Sequence, residues 1–219
     1  MESQKEKYKL NELLSPNIAK DCSKFLEIIE YFDSIKPSRE SALIVKKAMS
    51  VQKDPIISFL LKKSFRLAAF KLKGVSFKIS LDGLEKLLHS PDRLDDLALA
   101  ITTVTKTEAI LASDLFKASN WKEFPAEILP CFCIFFKNHG NSQDCEDLLE
   151  LTRHPNTIVI AAAVEAIKKL DTGSLRSVIE PIIKKNSNQK ESEALEQLYA
   201  TNVNYDSSDL SKANKDYYI

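Results

Sequence analysis

The sequence predicts an all-α protein assembled from consecutive helical hairpins. Three observations lead there. Glycine is scarce, with 4 in 219 residues, against a usual share of about 7%. Apolar residues recur at spacings of three and four. Prolines repeatedly follow a residue able to cap a helix. Strand-and-turn folds and phosphate-cradling loops draw heavily on glycine, whereas helical hairpins need little of it.

The helix starts can be placed from the prolines. Ser15-Pro16, Asp54-Pro55 and Ser90-Pro91 each set a capping side chain before a proline, which the first helical turn tolerates because its missing N–H would have no intrahelical partner. His154-Pro155 repeats the placement with a poorer cap. Thr105 with Glu108 and Asn120 with Glu123 have capping-box spacing, and Ser80, Ser142 and Ser174 are further cap candidates. Between these signals run apolar stripes such as Ile18, Cys22, Phe25, Leu26, Ile29 and Phe32, or Leu175, Val178, Ile179, Ile182 and Ile183. The expected helices are 17–33, 38–50, 55–72, 81–89, 91–104, 106–118, 123–138, 143–153, 155–170, 174–185 and 190–200. Their connections are short, which makes neighbours antiparallel. VSFKIS at 75–80 is the one fair strand candidate; without an evident partner strand it reads as a connecting loop. Shorter helices alternate with longer, more apolar ones that begin near 54, 90, 122 and 154, a period of roughly 32 to 36 in the range of helical-pair repeats.

The organisation expected is an N-terminal extension at 1–16, a helical domain at 17–200 and a polar tail or linker at 201–219, rich in Asn, Asp, Ser and Lys. The tail motivates reading the chain as part of a longer polypeptide. MESQKEKYKL at the start has no apolar run suited to a signal peptide. The longest apolar stretch, ILPCFCIFF at 128–136, falls well short of the roughly 20 residues that span a bilayer. Cys22, Cys131, Cys133 and Cys145 lie in apolar helical stretches and read as buried reduced thiols. Together these predict a cytoplasmic protein.

The segment 145–171, CEDLLELTRHPNTIVIAAAVEAIKKLD, resembles a HEAT repeat of the bacterial type. Leu148, Leu149 and Leu151 match its first helix and His154-Pro155-Asn156 its turn. Val159, Ala161 to Ala163, Ala166, Ile167 and Leu170 match the second helix. Alanine there lets neighbouring helices approach closely at no cost in helix propensity. Segment 83–104 repeats the design with Leu84, Leu87, Leu88, Pro91, Ala98 and Ala100, and 54–70 is a looser copy. The copy at 121–138 departs most, carrying Pro125, Pro130 and bulky Phe132, Phe135 and Phe136. The resemblance implies an α-α superhelix, a right-handed solenoid of about five HEAT-like hairpins whose second helices line the concave face. The alternative is an irregular helical bundle, which would show the same stripes.

HEAT-like proteins are mostly binding scaffolds, so the resemblance implies a non-catalytic scaffold or regulatory domain with a protein partner. Such stacks also include DNA glycosylases, but 31 basic residues balance 31 acidic ones, and a nucleic-acid enzyme needs a basic groove. Trp121 reads instead as a hydrophobic staple at its own helix start. No nucleotide-binding glycine loop, G-x-S-x-G elbow or H-E-x-x-H motif occurs, and no enzyme or cofactor is expected. His89, His139 and His154 fall at expected helix C-termini, where imidazole satisfies terminal carbonyls. Cys131, Cys133, His139 and Cys145 cluster in sequence, but the first two point to different sides of a helix, which argues against zinc. The basic stretch 60–78 holds Lys62, Lys63, Arg66, Lys71, Lys73 and Lys78 and no acid. It reads as a solvated face offset by Asp82, Glu85, Asp92, Asp95 and Asp96 of the next hairpin. The alternative function is anion or nucleic-acid binding through this stretch. If second helices line the groove, Lys62, Lys63 and Arg66 are the residues expected to face a ligand or partner.

Overall fold

The structure is a computed structural model that describes residues 8–170. The expected helices 174–185 and 190–200, the Ser174 cap and the polar tail lie outside the described residues. What is described is all-helical, and no strand occurs among the described residues. Among the described residues a helical stretch at 8–11 is followed by nine α-helices: α1 (Cys22–Ser34), α2 (Arg39–Val51), α3 (Pro55–Leu72), α4 (Leu81–Leu88), α5 (Leu94–Thr103), α6 (Ala109–Ala118), α7 (Leu129–His139), α8 (Cys145–Leu151) and α9 (Thr157–Leu170). Among the described residues no helix is long and apolar enough to cross a membrane.

Local chemistry explains the starts that agree with expectation. Asp54 accepts hydrogen bonds from the Ile56 and Ile57 amides, with Pro55 in the first turn of α3. Ser80 accepts from the Gly83 amide at the start of α4. Only half of the expected Thr105–Glu108 box forms: Glu108 accepts from the Thr105 amide at 3.3 Å and from its hydroxyl at 2.7 Å, but no side chain caps α6, which begins at Ala109 rather than at 106. The segment 75–80 is a connection.

Several starts shift by one turn. Residues 91–93, 121–123 and 142–144 form single 3-10 turns ahead of α5, α7 and α8. Asn120 makes no side-chain cap. It adopts a left-handed backbone, φ 53°, and ends α6 instead, a conformation asparagine tolerates. Pro125 and the turn after it delay α7 to Leu129, with Pro130 in its first turn. The cap near 142 is Asn141, boxed with Asp144. α1 starts at Asp21, whose carboxylate accepts from the Lys24 amide, and not at Ser15.

In the pairs α2–α3, α4–α5, α6–α7 and α8–α9 the second helix lies inside and the first outside, and α1 joins the inner layer ahead of them. α1 packs on α3, α3 on α5, α5 on α7 and α7 on α9; α9 in turn packs back on α1. This closes a cycle of five inner helices. α2 covers α3, α4 covers α5 and touches α6, α6 rests on α7, and α8 covers α9. Polar links also bridge the closure. Lys137 of α7 reaches Glu30 of α1 at 2.8 Å, and the Cys22 thiol of α1 lies 3.6 Å from the Thr157 hydroxyl of α9. Leu10 and Leu13, which precede α1, are buried in the same core. The Gln52 side chain ties them to the end of α2 by donating to the Leu13 and Ser15 carbonyls.

Alanines let the inner helices close up: Ala98 and Ala100 on α5 and Ala162, Ala163 and Ala166 on α9 are buried. α7 works in the opposite way. Phe116 meets the rings of Phe132 and Phe135 edge to face at 5.0 and 4.8 Å, and Trp121 leans on Phe132 and Phe136. Trp121 is therefore an anchor of the aromatic core, not a staple confined to its own helix start.

Candidate functional site

The six basic residues of 60–78 have different fates. Lys62 pairs with Asp95 at 2.5 Å, and Arg66 donates to Asp96 at 2.8 Å with Asp95 4.0 Å away. These are acids of the next hairpin, and Asp96 also accepts from Arg93. The hydrogen bonds from Arg66 and Arg93 hold the Asp96 carboxyl below its usual pKa. Lys71 donates to the Asp33 and Ile35 carbonyls at the end of α1, which completes carbonyls the helix leaves unpaired. Lys73 and Lys78 are exposed on the connection after α3, beside exposed Leu72 and Val75. Gly74 takes a positive φ of 69° there, and the Val75 amide returns to the Phe70 carbonyl, which closes the helix end.

Lys63 goes elsewhere. Its side chain is 2% exposed and pairs with Asp33 of α1, itself 9% exposed. Lys62, Lys63 and Arg66 thus do not form one patch: Lys62 and Arg66 face the acids of α5, and Lys63 turns into the ring of inner helices. Burial by itself lowers the Lys63 pKa. The charge of Asp33, followed by Cys131, the Asp33 hydrogen bond and Glu30, outweighs this and raises it above the ordinary lysine value. The ammonium is therefore held charged inside the protein. A buried pair is expensive to desolvate and is weak evidence for stability as such.

The pair lies behind a partly open cavity of about 400 Å³ between α1, α3, α5 and α7, with exposed Ser34 and Asn138 on its margin. Tyr31, Ile101, Ile134 and Phe135 give it an apolar side. Its two acids, Glu30 and Asp33, are each met by a lysine, Lys137 and Lys63. His139 sits at its margin with its ring 5.1 Å from that of Phe135. Burial, helped by the charges of Lys106 and Lys169, lowers the His139 pKa from its ordinary value, so the imidazole is neutral at pH 7. Cys131 also lines the cavity, and desolvation pushes its thiol up to about 11 despite the opposing charge of Lys63. At that value the sulfur is protonated and a poor nucleophile at neutral pH.

The other candidates resolve into local structure. Cys133 and Cys145 are buried, and no group of three metal-ligating side chains converges among the described residues. His154 accepts from the Asn156 amide through Nδ1 at 3.0 Å, and Asn156 in turn accepts from the Ile158 amide at 2.8 Å. It shapes the turn into α9 without capping the carbonyls of α8. His139 does end α7, followed by Gly140.

The sequence carries a signal for the buried pair, though none for Glu30. Asp33 falls four residues after Ile29 and seven after Leu26, on an otherwise apolar stripe, and Lys63 interrupts the run Ile56, Leu60, Leu67 in the same way. A charge within an apolar stripe marks either a buried partner or a site. No family model, curated protein or solved structure matches the chain.

Proposed function

We propose that the chain is a non-catalytic scaffold or regulatory domain that binds a protein partner on its outer layer, in an architecture of about five HEAT-like hairpins. The inside-outside alternation of paired helices supports the architecture. The α1–α9 contact makes it a stack that returns on itself. One observation carries the binding reading: on the outer helix α6, Ile110 is 77% and Leu111 55% exposed. Two adjacent large apolar side chains on the surface of a helix otherwise anchored by Ala109, Ala112 and Phe116 form a surface that a protein partner would cover. Copurification from the source cell, comparing the wild-type chain with Ile110→Asp/Leu111→Asp, tests this. The expected result is one protein retained by the wild type and lost from a variant of unchanged melting temperature. Equal recovery with both chains would refute it.

A second reading, anion or nucleic-acid binding, keeps the far end of the basic stretch alone. Lys62, Lys63 and Arg66 are occupied by acids, while Lys73 and Lys78 stand exposed beside Leu72 and Val75. Salt titration of binding to a phosphate-rich polymer, with Lys73→Glu/Lys78→Glu as control, separates the two readings. Salt-insensitive or absent binding removes this one.

A further inference from the structure

The outward face of α6 carries a pattern of charge around its exposed apolar pair. The helix rests on α7 and on the turn at 121–123 and touches α4, and it buries Ala109, Ala112 and Phe116. Lys106 and Thr107, in the turn that leads into it, and Ile110, Leu111 and Asp114 are all exposed. Residues four apart share a helix face, so Lys106 stands about one turn before Ile110 and Asp114 one turn after it. Among the described residues neither charge has an ion-pair partner. The neighbouring charges are used elsewhere. Glu108 accepts from the Thr105 amide and hydroxyl, and Lys117 pairs with Asp144 at 2.5 Å. The charge of Lys106 works against protonation of His139, so that side chain is no counter-ion for it.

This order of charges is self-complementary. When two copies of a helix pack antiparallel about a two-fold axis through residue 110, residue 106 of each faces residue 114 of the other. Every contact of such an isologous interface occurs twice. Lys106 of each copy then meets Asp114 of the other, one pair on either side of a centre made by Ile110 and Leu111. That centre covers side chains that are 77% and 55% exposed in the single chain, and the flanking pairs fix the register. The helix itself gains nothing from the order, because a lysine ahead of the first turn lies at the positive end of the dipole.

We propose that the protein partner of this face is a second copy of the chain, docked α6 against α6 in an antiparallel, two-fold dimer. This rests on the reading of Ile110 and Leu111 as a partner surface and names the occupant. The face is a single helix of 10 residues, roughly 15 Å long, so the dimer is weak and forms reversibly with concentration.

Sedimentation equilibrium of the full chain from micromolar to millimolar concentration is the test, and a monomer–dimer equilibrium is expected. Lys106→Asp and Asp114→Lys, each alone, set like charges opposite one another and should weaken the dimer at least about tenfold. Mixed together, the two variants should associate with each other about as tightly as the wild type does with itself, because each supplies the charge that the other lacks. A role of either residue within a single chain would not produce that rescue. Ile110→Asp/Leu111→Asp should abolish the dimer. All four positions are exposed, so each variant should keep the wild-type melting temperature. The proposal is overturned if the wild type stays monomeric at millimolar concentration, or if the apolar double variant dimerises equally well. It is equally overturned if either charge reversal alone dimerises as the wild type does, or if the mixture associates no better than its components. The two readings fail separately: a monomeric wild type that retains a different protein through Ile110 and Leu111 overturns the dimer and leaves the partner surface standing.

Discussion

Removing the ammonium of Lys63 alone should cost far more than removing the whole ion pair. Lys63→Met preserves most of the side-chain volume in a site 2% exposed, but it strands the Asp33 carboxylate at 9% exposure. Its Oδ1 has no hydrogen-bond partner even in the intact protein. Breaking a buried pair from one side costs about 3–5 kcal/mol, whereas replacing both partners with apolar residues of similar size is near neutral or stabilising by about 1–4 kcal/mol. The expected order of stability is Lys63→Met/Asp33→Leu close to or above wild type, with Lys63→Met well below both. Urea unfolding followed by far-ultraviolet circular dichroism measures it, and an unchanged m value shows that the comparison is between like states. Two results would refute the reasoning. A loss below about 1 kcal/mol for Lys63→Met would mean that the pair is solvated like a surface bridge. A double variant as unstable as the sum of the single ones would mean that the pair is not coupled.

Three further outcomes are expected. Gly140→Ala would place a Cβ 2.6 Å from the Phe136 carbonyl oxygen and 2.7 Å from Asp144 Oδ2, so it should destabilise by about 1–3 kcal/mol; an unchanged melting temperature would show that the α7–α8 turn yields freely. Ala162→Leu, on the inner face of α9 where Ala162 is buried, should also cost about 1–3 kcal/mol by overpacking, and full tolerance in a denaturation curve would mean that α9 is not tightly enclosed. His139 and His154 both have pKa values lowered in the folded protein, chiefly by burial. The unfolded chain therefore binds protons more readily, and stability from these groups is present above the ordinary value of about 6.5 and lost as pH falls through the lowered one. The measured slope of stability against pH below neutrality should flatten in His139→Gln/His154→Asn, and an unaltered slope would assign the acid sensitivity to other groups.

What the sequence determined by itself was local. Asp54-Pro55 starts α3 and Ser80 starts α4 because each cap and the amides it satisfies lie within three residues. The connection at 75–80 was legible for a similar reason: without a partner strand, a short alternating run has nothing to pair with. The near miss at Asn120 was also local, since asparagine serves equally to begin one helix and to end another. The tertiary structure alone decided which charge meets which. Lys62, Lys63 and Arg66 lie within one turn or so of α3, yet their partners stand about thirty residues away on opposite sides, Asp33 behind and Asp95 and Asp96 ahead. A stripe of spacing three and four shows that a helix has a buried face, but not which helix covers it. The packing of α9 on α1 joins residues 135 positions apart, and no short-range signal encodes that. The cavity between α1, α3, α5 and α7 is likewise tertiary, because it needs residues as far apart as Glu30 and Lys137 brought side by side.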